Sequence, residues 1–205
     1  IFCVGRNYEA HAREMGNDPT REAPFFFTKP ADAALDTPCT IPYPPQTEDL
    51  HHEIELVIAI GKGGRNIAEE DVMDHVWGAS VGIDLTRRDL QAEAKKAGRP
   101  WDWGKAFDNS APIAPLKPIA DVPSVEQGRI WLAVNGTVRQ DADLADLIWS
   151  VREHVAILSH SMSLAPGDII MTGTPAGVAA LVEGDVVTGG VDGIATLEVA
   201  IGPRA

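Results

Sequence analysis

The strongest strand signal in this chain of 205 residues is LHHEIELVIAI, residues 50–60. Successive side chains of an extended strand point to opposite faces, so the even-numbered residues from Ile54 onward share one apolar face. Glu53 and Glu55 lie on the other face, which turns apolar immediately after them. This pattern is compatible with a solvent-facing polar edge and with a strand whose acidic face enters a covered region. The change to apolar residues favours the covered alternative.

Two carboxylates that enter a covered region repel each other and lose hydration, so they require a cation. Their oxygens suit the hard cations Mg²⁺, Mn²⁺ and Ca²⁺. The predicted third ligand is Asp84, which ends the apolar segment 79–83 just before a predicted helix. The sequence around Asp84 is also compatible with an aspartate that only forms a turn or caps the following helix. Arg88 and Gln91, one helical turn apart, would project beside Asp84 and suit a metal-bound oxyacid, although an exposed helix face has the same spacing.

Short strands and helices mix along the rest of the chain without regular alternation. Strands are predicted at residues 1–4, 79–84, 131–134, 137–140, 169–172, about 185–188 and 194–201. Helices are predicted at residues 7–15, about 66–77, 87–97 and from 151 onward, with an extended, proline-rich connection at 36–49. Asn135–Gly136 predicts a type I′ hairpin turn, and capping boxes are predicted at Asn66 with Glu69 and at Ser150 with Glu153. Because strands outnumber helices, we predict a single β-rich α+β domain over residues 1–205 rather than a doubly wound or barrel fold.

The chain is acidic, with 17 Lys and Arg against 30 Asp and Glu and a net charge of −13. Nucleic acid is therefore not an expected partner, because phosphate binding needs basic patches. Cys3 and Cys39 are too few for a disulfide framework, and we expect both to be reduced. No apolar run approaches the ~20 residues of a membrane span, and no signal peptide is visible. These features predict a cytoplasmic protein that does not bind a membrane.

Six short motifs follow one another along the chain. They are Gly5-Arg6-Asn7-Tyr8 with His11 and Glu14, Phe27-Thr28-Lys29-Pro30, His51-His52-Glu53-Ile54-Glu55-Leu56, residues 82–91, Trp103-Gly104-Lys105-Ala106-Phe107, and Thr172-Gly173-Thr174-Pro175. The ordered set, from residue 1 to about 200, resembles the fumarylacetoacetate hydrolase family and within it the short, single-domain acylpyruvate hydrolases. The resemblance implies a mixed β-sandwich roll with short helices, and a homodimer.

The resemblance also implies the site residues. One divalent cation, Mg²⁺ or Mn²⁺ with Ca²⁺ as a further candidate, would be held by Glu53, Glu55 and Asp84. Lys105 would reach the substrate oxygens, and the substrate site would be lined by Arg88, Gln91, Gly173 and Thr174. His11 and Glu14 would lie on a mobile lid within residues 1–30. Longer family members have a further aspartate ligand where this chain has Val4, so we expect three protein ligands completed by water.

The implied activity is hydrolysis of a C–C bond in a small anionic 2,4-diketo acid, an acylpyruvate, with fumarylpyruvate as the first candidate. The cation would stabilise the pyruvate enolate that departs, and Lys105 would add a second positive charge. His11 and Glu14 are three residues apart on a short predicted helix, where a carboxylate can orient an imidazole as a general base. Taken singly, each of these residues has the pattern of an ordinary solvated side chain.

Other activities are compatible with the same motifs. Oxaloacetate decarboxylation, and isomerisation or hydration of related diketo acids, would use the same cation. A non-catalytic, metal-stabilised binding module would need only the three carboxylates. The sequence leaves Arg6, Arg87 and Arg99 open as partners for a distal carboxylate on the acyl group. Arg6 and Lys29 also suit a role in holding the lid.

Overall fold

Sixteen β-strands and four α-helices lie in the part of the chain that the computed structural model describes, which is residues 1–14 and 22–204 without the side chains of Ala12 and Glu14. In chain order the strands are β1 (Phe2–Gly5), β2 (Phe25–Thr28), β3 (Ala34–Asp36), β4 (Cys39–Tyr43), β5 (Leu50–His51), β6 (Ile54–Ile60), β7 (Val76–Ile83), β8 (Thr86–Arg87), β9 (Ala111–Ile113), β10 (Lys117–Pro118), β11 (Arg129–Val134), β12 (Thr137–Asp143), β13 (Ile169–Met171), β14 (Ala180–Leu181), β15 (Val186–Val191) and β16 (Ala195–Arg204). The α-helices are α1 (Glu9–Glu14), α2 (Arg88–Ala97), α3 (Asp102–Lys105) and α4 (Val151–Ser161). Short 3₁₀ helices occur at Ala31–Ala33, Glu69–Asp74, Ile119–Asp121 and Leu144–Asp146.

The strand predicted over residues 50–60 is divided into two. β5 and β6 belong to different sheets, and His52 and Glu53 separate them. The Gln140 side chain accounts for the break, because its Oε1 accepts the Ile54 backbone N–H (3.2 Å) and lies 2.9 Å from His52 Nδ1. All seven residues of β6 are buried. Its acidic face is therefore covered, and the interpretation as a solvent-facing edge is wrong.

Among the described residues the strands form three sheets. The largest contains eight strands in the order β2-β1-β13-β6-β7-β9-β3, with β10 paired to β7. The second has the order β12-β11-β15-β16-β4, and the third the order β14-β5-β8. The two larger sheets share one apolar core, which contains Leu56 of β6 together with Leu132 and Val199 of the second sheet. They approach closely, since a Cβ on Gly189 of β15 would lie 2.9 Å from Ile54 Cδ1. The predicted β-rich α+β fold is confirmed.

Several local signals in the sequence are confirmed. Asn135 and Gly136 adopt φ angles of 51° and 77° in the hairpin between β11 and β12, as a type I′ turn requires. The Glu153 side chain accepts the Ser150 backbone N–H at 2.9 Å, and Ser150 Oγ accepts the Glu153 N–H at 3.3 Å, which forms the capping box of α4. The predicted end of the helix at residue 97 is also confirmed, because Gly98 follows α2 in the left-handed conformation. Within the described residues, no helix combines the length and the apolar character needed to cross a membrane.

The helix predicted over residues 66–77 is wrong. Asn66 adopts a positive φ of 52°, and its backbone N–H donates to the Ser159 carbonyl oxygen at 3.0 Å. Ser159 Oγ accepts the next N–H, from Ile67, at 2.9 Å. These contacts with α4 replace the predicted capping box, and only the 3₁₀ turn Glu69–Asp74 forms. The following residues, including Trp77, join β7 because they pair with β6.

Other boundaries also differ from the prediction. The proline-rich connection over residues 36–49 contains β4, which pairs in parallel with β16 and so becomes an edge of the second sheet. Its central proline, Pro42, lies in this edge strand, where a missing N–H is tolerated. The last two strands are also longer than predicted, at six and ten residues.

Candidate active site

Three acidic side chains meet at one edge of the largest sheet. Glu53 immediately precedes β6, Glu55 is the second residue of β6, and Asp84 follows β7. These strands are antiparallel neighbours, so the start of one and the end of the other lie together, and the Asp84 backbone N–H donates to the Glu53 carbonyl oxygen at 2.8 Å. One carboxylate oxygen of each residue lies within 4.8 Å of the other two, and all three residues are buried. We call Glu53, Glu55 and Asp84 the acidic triad.

Buried cationic side chains offset part of the negative charge of the acidic triad. The Lys105 ammonium donates to Glu53 Oε2 (2.7 Å), Asp84 Oδ2 (2.6 Å) and Thr86 Oγ1 (2.7 Å). Arg88 donates to the other Glu53 oxygen. Burial disfavours the ionised form of Glu53, but Lys105 and Arg88 outweigh it and lower the pKa of this carboxyl. Burial likewise acts against the charge of Lys105, but Asp84 and Glu53 raise its pKa, so the ammonium stays protonated.

Within the triad, the negative charge of Glu55 is the least offset by nearby cations. Its Oε2 accepts the Gly173 backbone N–H at 2.7 Å, and no cation is in ion-pair contact with it in the described part of the chain. Burial raises the pKa of Glu55, and the charges of Asp84 and Glu53 raise it further. Asp84 Oδ1 lies 2.8 Å from the Lys29 ammonium, but this ionic contact lacks hydrogen-bond geometry, so the oxygen receives no hydrogen bond from the described residues.

These observations fit a bound divalent cation. The triad offers three hard oxygen donors close together, the donor set that Mg²⁺ and Mn²⁺ prefer. A cation would stabilise the ionised form of Glu55 and would give a ligand bond to Asp84 Oδ1, which receives no hydrogen bond from the described residues. Val4 lines the same cavity and offers no side-chain ligand atom, and the number of protein ligands stays a prediction. The acidic triad can therefore hold a divalent cation and leave further positions to water and substrate.

His11 lines the same cavity as the triad and is only 6% exposed. It lies on α1, close enough to Glu53 that a positive charge on its ring would lower the pKa of that carboxyl. The Glu14 side chain and residues 15–21 lie outside the described residues. The pairing of His11 with Glu14, and the mobile lid within residues 1–30, therefore stay predictions.

Two short helices position the polar residues on one side of the cavity. Arg88 and Gln91 share one face of α2, where an Arg88 N–H donates to Gln91 Oε1 at 2.7 Å, and both line the cavity. Gly104 brings α3 against α2, since a Cβ on Gly104 would lie 2.9 Å from the Gln91 backbone nitrogen. This close approach directs Lys105, which is 2% exposed, into the triad. The local sequence around Gln91 and Lys105 was also compatible with exposed side chains. Both side chains are instead buried.

The loop after β13 covers the triad from the other side. Gly173 has a positive φ of 99°, which aims its N–H at Glu55, and a Cβ there would lie 2.7 Å from Asn7 Cβ. Thr174 lines the cavity, and its hydroxyl accepts a hydrogen bond from Gln140 Nε2 at 2.8 Å. Asn7 Nδ2 donates to the Thr172 carbonyl oxygen at 2.9 Å. Two buried amide side chains thus hold this loop in place.

Sequence reasoning assigned Lys29 only to the lid, whereas its ammonium is buried beside Asp84 and donates to the Leu85 carbonyl oxygen at 3.1 Å. It also donates to the carbonyl oxygen of Lys105. Its position in the Phe-Thr-Lys-Pro motif was the only signal, because the partners lie more than fifty residues further along the chain.

The cationic side chains at the rim of the cavity are only partly those that the sequence suggested as partners for a distal carboxylate. Of the three arginines considered for a distal carboxylate, Arg6 lines the cavity. Arg87 lies over the Phe107 ring at 4.3 Å in a separate cleft, and Arg99 lines a neighbouring cleft. Lys95, which sequence reasoning missed, lines the cavity beside Arg6. Its spacing of seven residues from Arg88, two turns of the same helix, was the available signal.

Comparison with known proteins shows the family to which the chain belongs. Residues 1–201 match the family described as fumarylacetoacetate (FAA) hydrolase, C-terminal. A fumarylpyruvate hydrolase of Ralstonia sp. is 44% identical over 186 residues, 91% of this chain and 96% of that protein. The mitochondrial oxaloacetate tautomerase FAHD1 of Arabidopsis thaliana is 40% identical over 198 residues, 97% of this chain and 88% of that protein. The crystal structure of fumarylpyruvate hydrolase from Pseudomonas aeruginosa in complex with Mn²⁺ and pyruvate has a TM-score of 0.96 and 51% identity, over 99% of this chain and 89% of that chain. The chain therefore belongs to the fumarylacetoacetate hydrolase family.

Proposed function

We propose that this protein is a metal-dependent hydrolase that cleaves the C–C bond of an acylpyruvate, with fumarylpyruvate as its substrate. The observation that carries the proposal is a buried acidic triad, fit for a divalent cation, that shares one cavity with a buried histidine, His11. The similarity to fumarylpyruvate hydrolases from two bacteria, one of them in complex with Mn²⁺ and pyruvate, supports the substrate class.

Hydrolysis requires water to attack the distal 4-keto carbon and the bond between carbons 3 and 4 to break. The electron pair of that bond stays on carbon 3 and is delocalised onto the 2-keto oxygen until a proton returns to carbon 3. The products are pyruvate and fumarate. The divalent cation, when bound, supplies a Lewis acid at the pyruvate end of the substrate. Arg88 and Gln91, which line the cavity beside the triad, orient the substrate oxygens there.

His11 supplies the base in this proposal. A buried imidazole that lines the cavity can accept a proton from the attacking water, and such a base contributes typically ~10²–10⁴ in rate. Glu14, three residues further along α1, is proposed to orient the imidazole. Lys105 places a fixed positive charge where negative charge develops on the substrate oxygens.

Oxaloacetate tautomerisation is a second candidate, favoured by the 40% identity to the Arabidopsis enzyme. That reaction needs proton transfer at carbon 3 but no attacking water. Decarboxylation of oxaloacetate and isomerisation of related diketo acids would use the same triad. A non-catalytic module would need the triad alone, whereas this cavity also holds His11, Arg88 and Lys105. We also propose that the protein forms a homodimer, as the family resemblance implies.

Loss of the conjugated enol absorbance of fumarylpyruvate tests the proposal, with Mg²⁺ or Mn²⁺ and then with a chelator. Metal-dependent loss that disappears in Glu53→Ala and His11→Ala supports it, and the exposed His160→Ala is the matched control that keeps activity. Loss that survives the chelator contradicts the role of the cation. Turnover of oxaloacetate alone, with acetylpyruvate and fumarylpyruvate untouched, would favour the tautomerase.

A further inference from the structure

We propose that Lys95 and Arg6 form a subsite for a second carboxylate, at the far end of the acyl group, so that this enzyme selects dicarboxylic acylpyruvates over those with an uncharged acyl group. The inference rests on the proposed function, because it extends the same cavity away from the acidic triad. Both residues line that cavity together with Arg88 and Gln91.

The geometry of α2 places Lys95 at one end of a row of polar side chains. Arg88, Gln91 and Lys95 are spaced by three and four residues, so they lie on one helix face. Seven residues correspond to about 10.5 Å along the helix axis. The two carboxylate carbons of extended fumarylpyruvate are about 7.5 Å apart by standard bond lengths. A substrate whose pyruvate end lies at the triad therefore has its other end within reach of the flexible Lys95 side chain.

Aromatic rings hold the two cations on the same side of the cavity. The Arg6 guanidinium lies 5.4 Å from the centre of the Phe25 ring, and the Lys95 ammonium lies 4.9 Å from the Trp101 ring. The Phe25 and Trp101 rings contact each other edge to face, with centres 5.4 Å apart. Arg6 adopts a positive φ of 56°, an uncommon conformation for a side chain of this size. The two contacting rings therefore form one wall of the cavity, and each ring carries one of the two cations.

The charge distribution separates this subsite from the triad. Lys29, Lys105 and Arg88 each contact a carboxylate of the triad. In contrast, none of the ion pairs among the described residues involves Arg6 or Lys95. Partial burial lowers the pKa of Lys95, and the like charges of Arg88 and Arg6 lower it further. A bound carboxylate would relieve this repulsion, which makes the rim a place for an anion rather than for an uncharged group.

Selectivity between two substrates tests the subsite. Fumarylpyruvate carries the second carboxylate and acetylpyruvate does not. Lys95→Met keeps an unbranched side chain of similar length but removes the ammonium that lies over the Trp101 ring. We expect it to lower the ratio of kcat/KM for fumarylpyruvate to that for acetylpyruvate by at least about tenfold, mainly through KM. Lys95→Arg should restore most of the ratio, and the exposed neighbour Lys96→Met is the matched control. An unchanged ratio in Lys95→Met would overturn the inference.

A binding measurement separates this inference from the proposed function. Thermal unfolding with Mn²⁺ should show a larger stabilisation by fumarylpyruvate than by acetylpyruvate, and Lys95→Met should remove the difference. If the unmodified protein turns over neither compound, the proposed function fails, while loss of the difference in Lys95→Met still supports the subsite. Equal stabilisation by both compounds in the unmodified protein contradicts the subsite whatever the activity.

Discussion

Replacement of Glu55 by Gln should stabilise the metal-free protein and abolish its stabilisation by metal. Glu55 is buried with two other carboxylates and has no cation in ion-pair contact among the described residues. At an effective dielectric constant of about 20, an ionised Glu55 at the 4.8 Å limit would repel a neighbouring carboxylate by about 3.5 kcal/mol, and the raised pKa of Glu55 is the response to this cost. Lys105 offsets part of this repulsion, and a glutamine oxygen can still accept the Gly173 N–H. We therefore expect a net gain of about 1–3 kcal/mol.

Thermal unfolding in a chelator and then in Mn²⁺ measures both effects. The gain corresponds to about 2–12 °C in Tm for a domain of this size. Mn²⁺ at a hundredfold excess over its Kd should stabilise the unmodified protein by about 2.7 kcal/mol and the Glu55→Gln variant by almost nothing. The exposed Glu198→Gln is the matched control and should follow the unmodified protein. A lower Tm of Glu55→Gln in the chelator, or an unchanged response to Mn²⁺, would refute this reasoning.

Two further predictions concern α4 and the contact between α2 and α3. Burial lowers the pKa of His154 to about 4, below its ordinary value of 6.5, so the unfolded chain binds a proton first and stability falls as the pH falls from 6.5 to 4. The unfolding free energies of the unmodified protein and His154→Gln should therefore diverge by about 2 kcal/mol between pH 6.5 and 5 in denaturant titrations, and parallel curves would contradict this. Gly104→Ala should lower turnover at least about tenfold, because the added Cβ would lie 2.9 Å from Gln91 and displace Lys105. Gly98→Ala is the control, because its added Cβ meets open space and only the φ of 62° is unfavourable. It should cost about 1 kcal/mol of stability and keep turnover. Normal turnover in Gly104→Ala together with lost turnover in Gly98→Ala would contradict this explanation.

The parts of the site that could be predicted are those that local patterns specify. The alternation around Glu53 and Glu55 places both carboxylates on the same side of the chain where β6 begins, and an acidic residue directly after the next strand returns to the same edge. The spacing of Arg88 and Gln91 likewise fixes a shared helix face. Each of these relations spans only a few residues or one antiparallel pair. The motifs around them then supplied the family resemblance.

The parts that could not be predicted depend on distant partners. The break between β5 and β6 requires the Gln140 side chain, which comes more than eighty residues later and takes the Ile54 N–H. The loss of the helix predicted at residue 66 requires Ser159, on another helix, to take two backbone N–H groups. Lys29 pairs with Asp84, more than fifty residues further along the chain, and no local pattern indicates that partner. Tertiary hydrogen bonds and ion pairs thus override local propensity at these positions.

Mass analysis of the products formed from fumarylpyruvate in H₂¹⁸O, with Mn²⁺, tests the central claim most directly. Water attack at the 4-keto carbon, with His11 as the base, predicts equal amounts of pyruvate and fumarate, with ¹⁸O in the newly formed carboxylate of fumarate. His11→Ala should stop the formation of both products. A product with the mass of the substrate, or release of CO₂ without fumarate, would show that this cavity performs isomerisation or decarboxylation instead and would contradict hydrolysis.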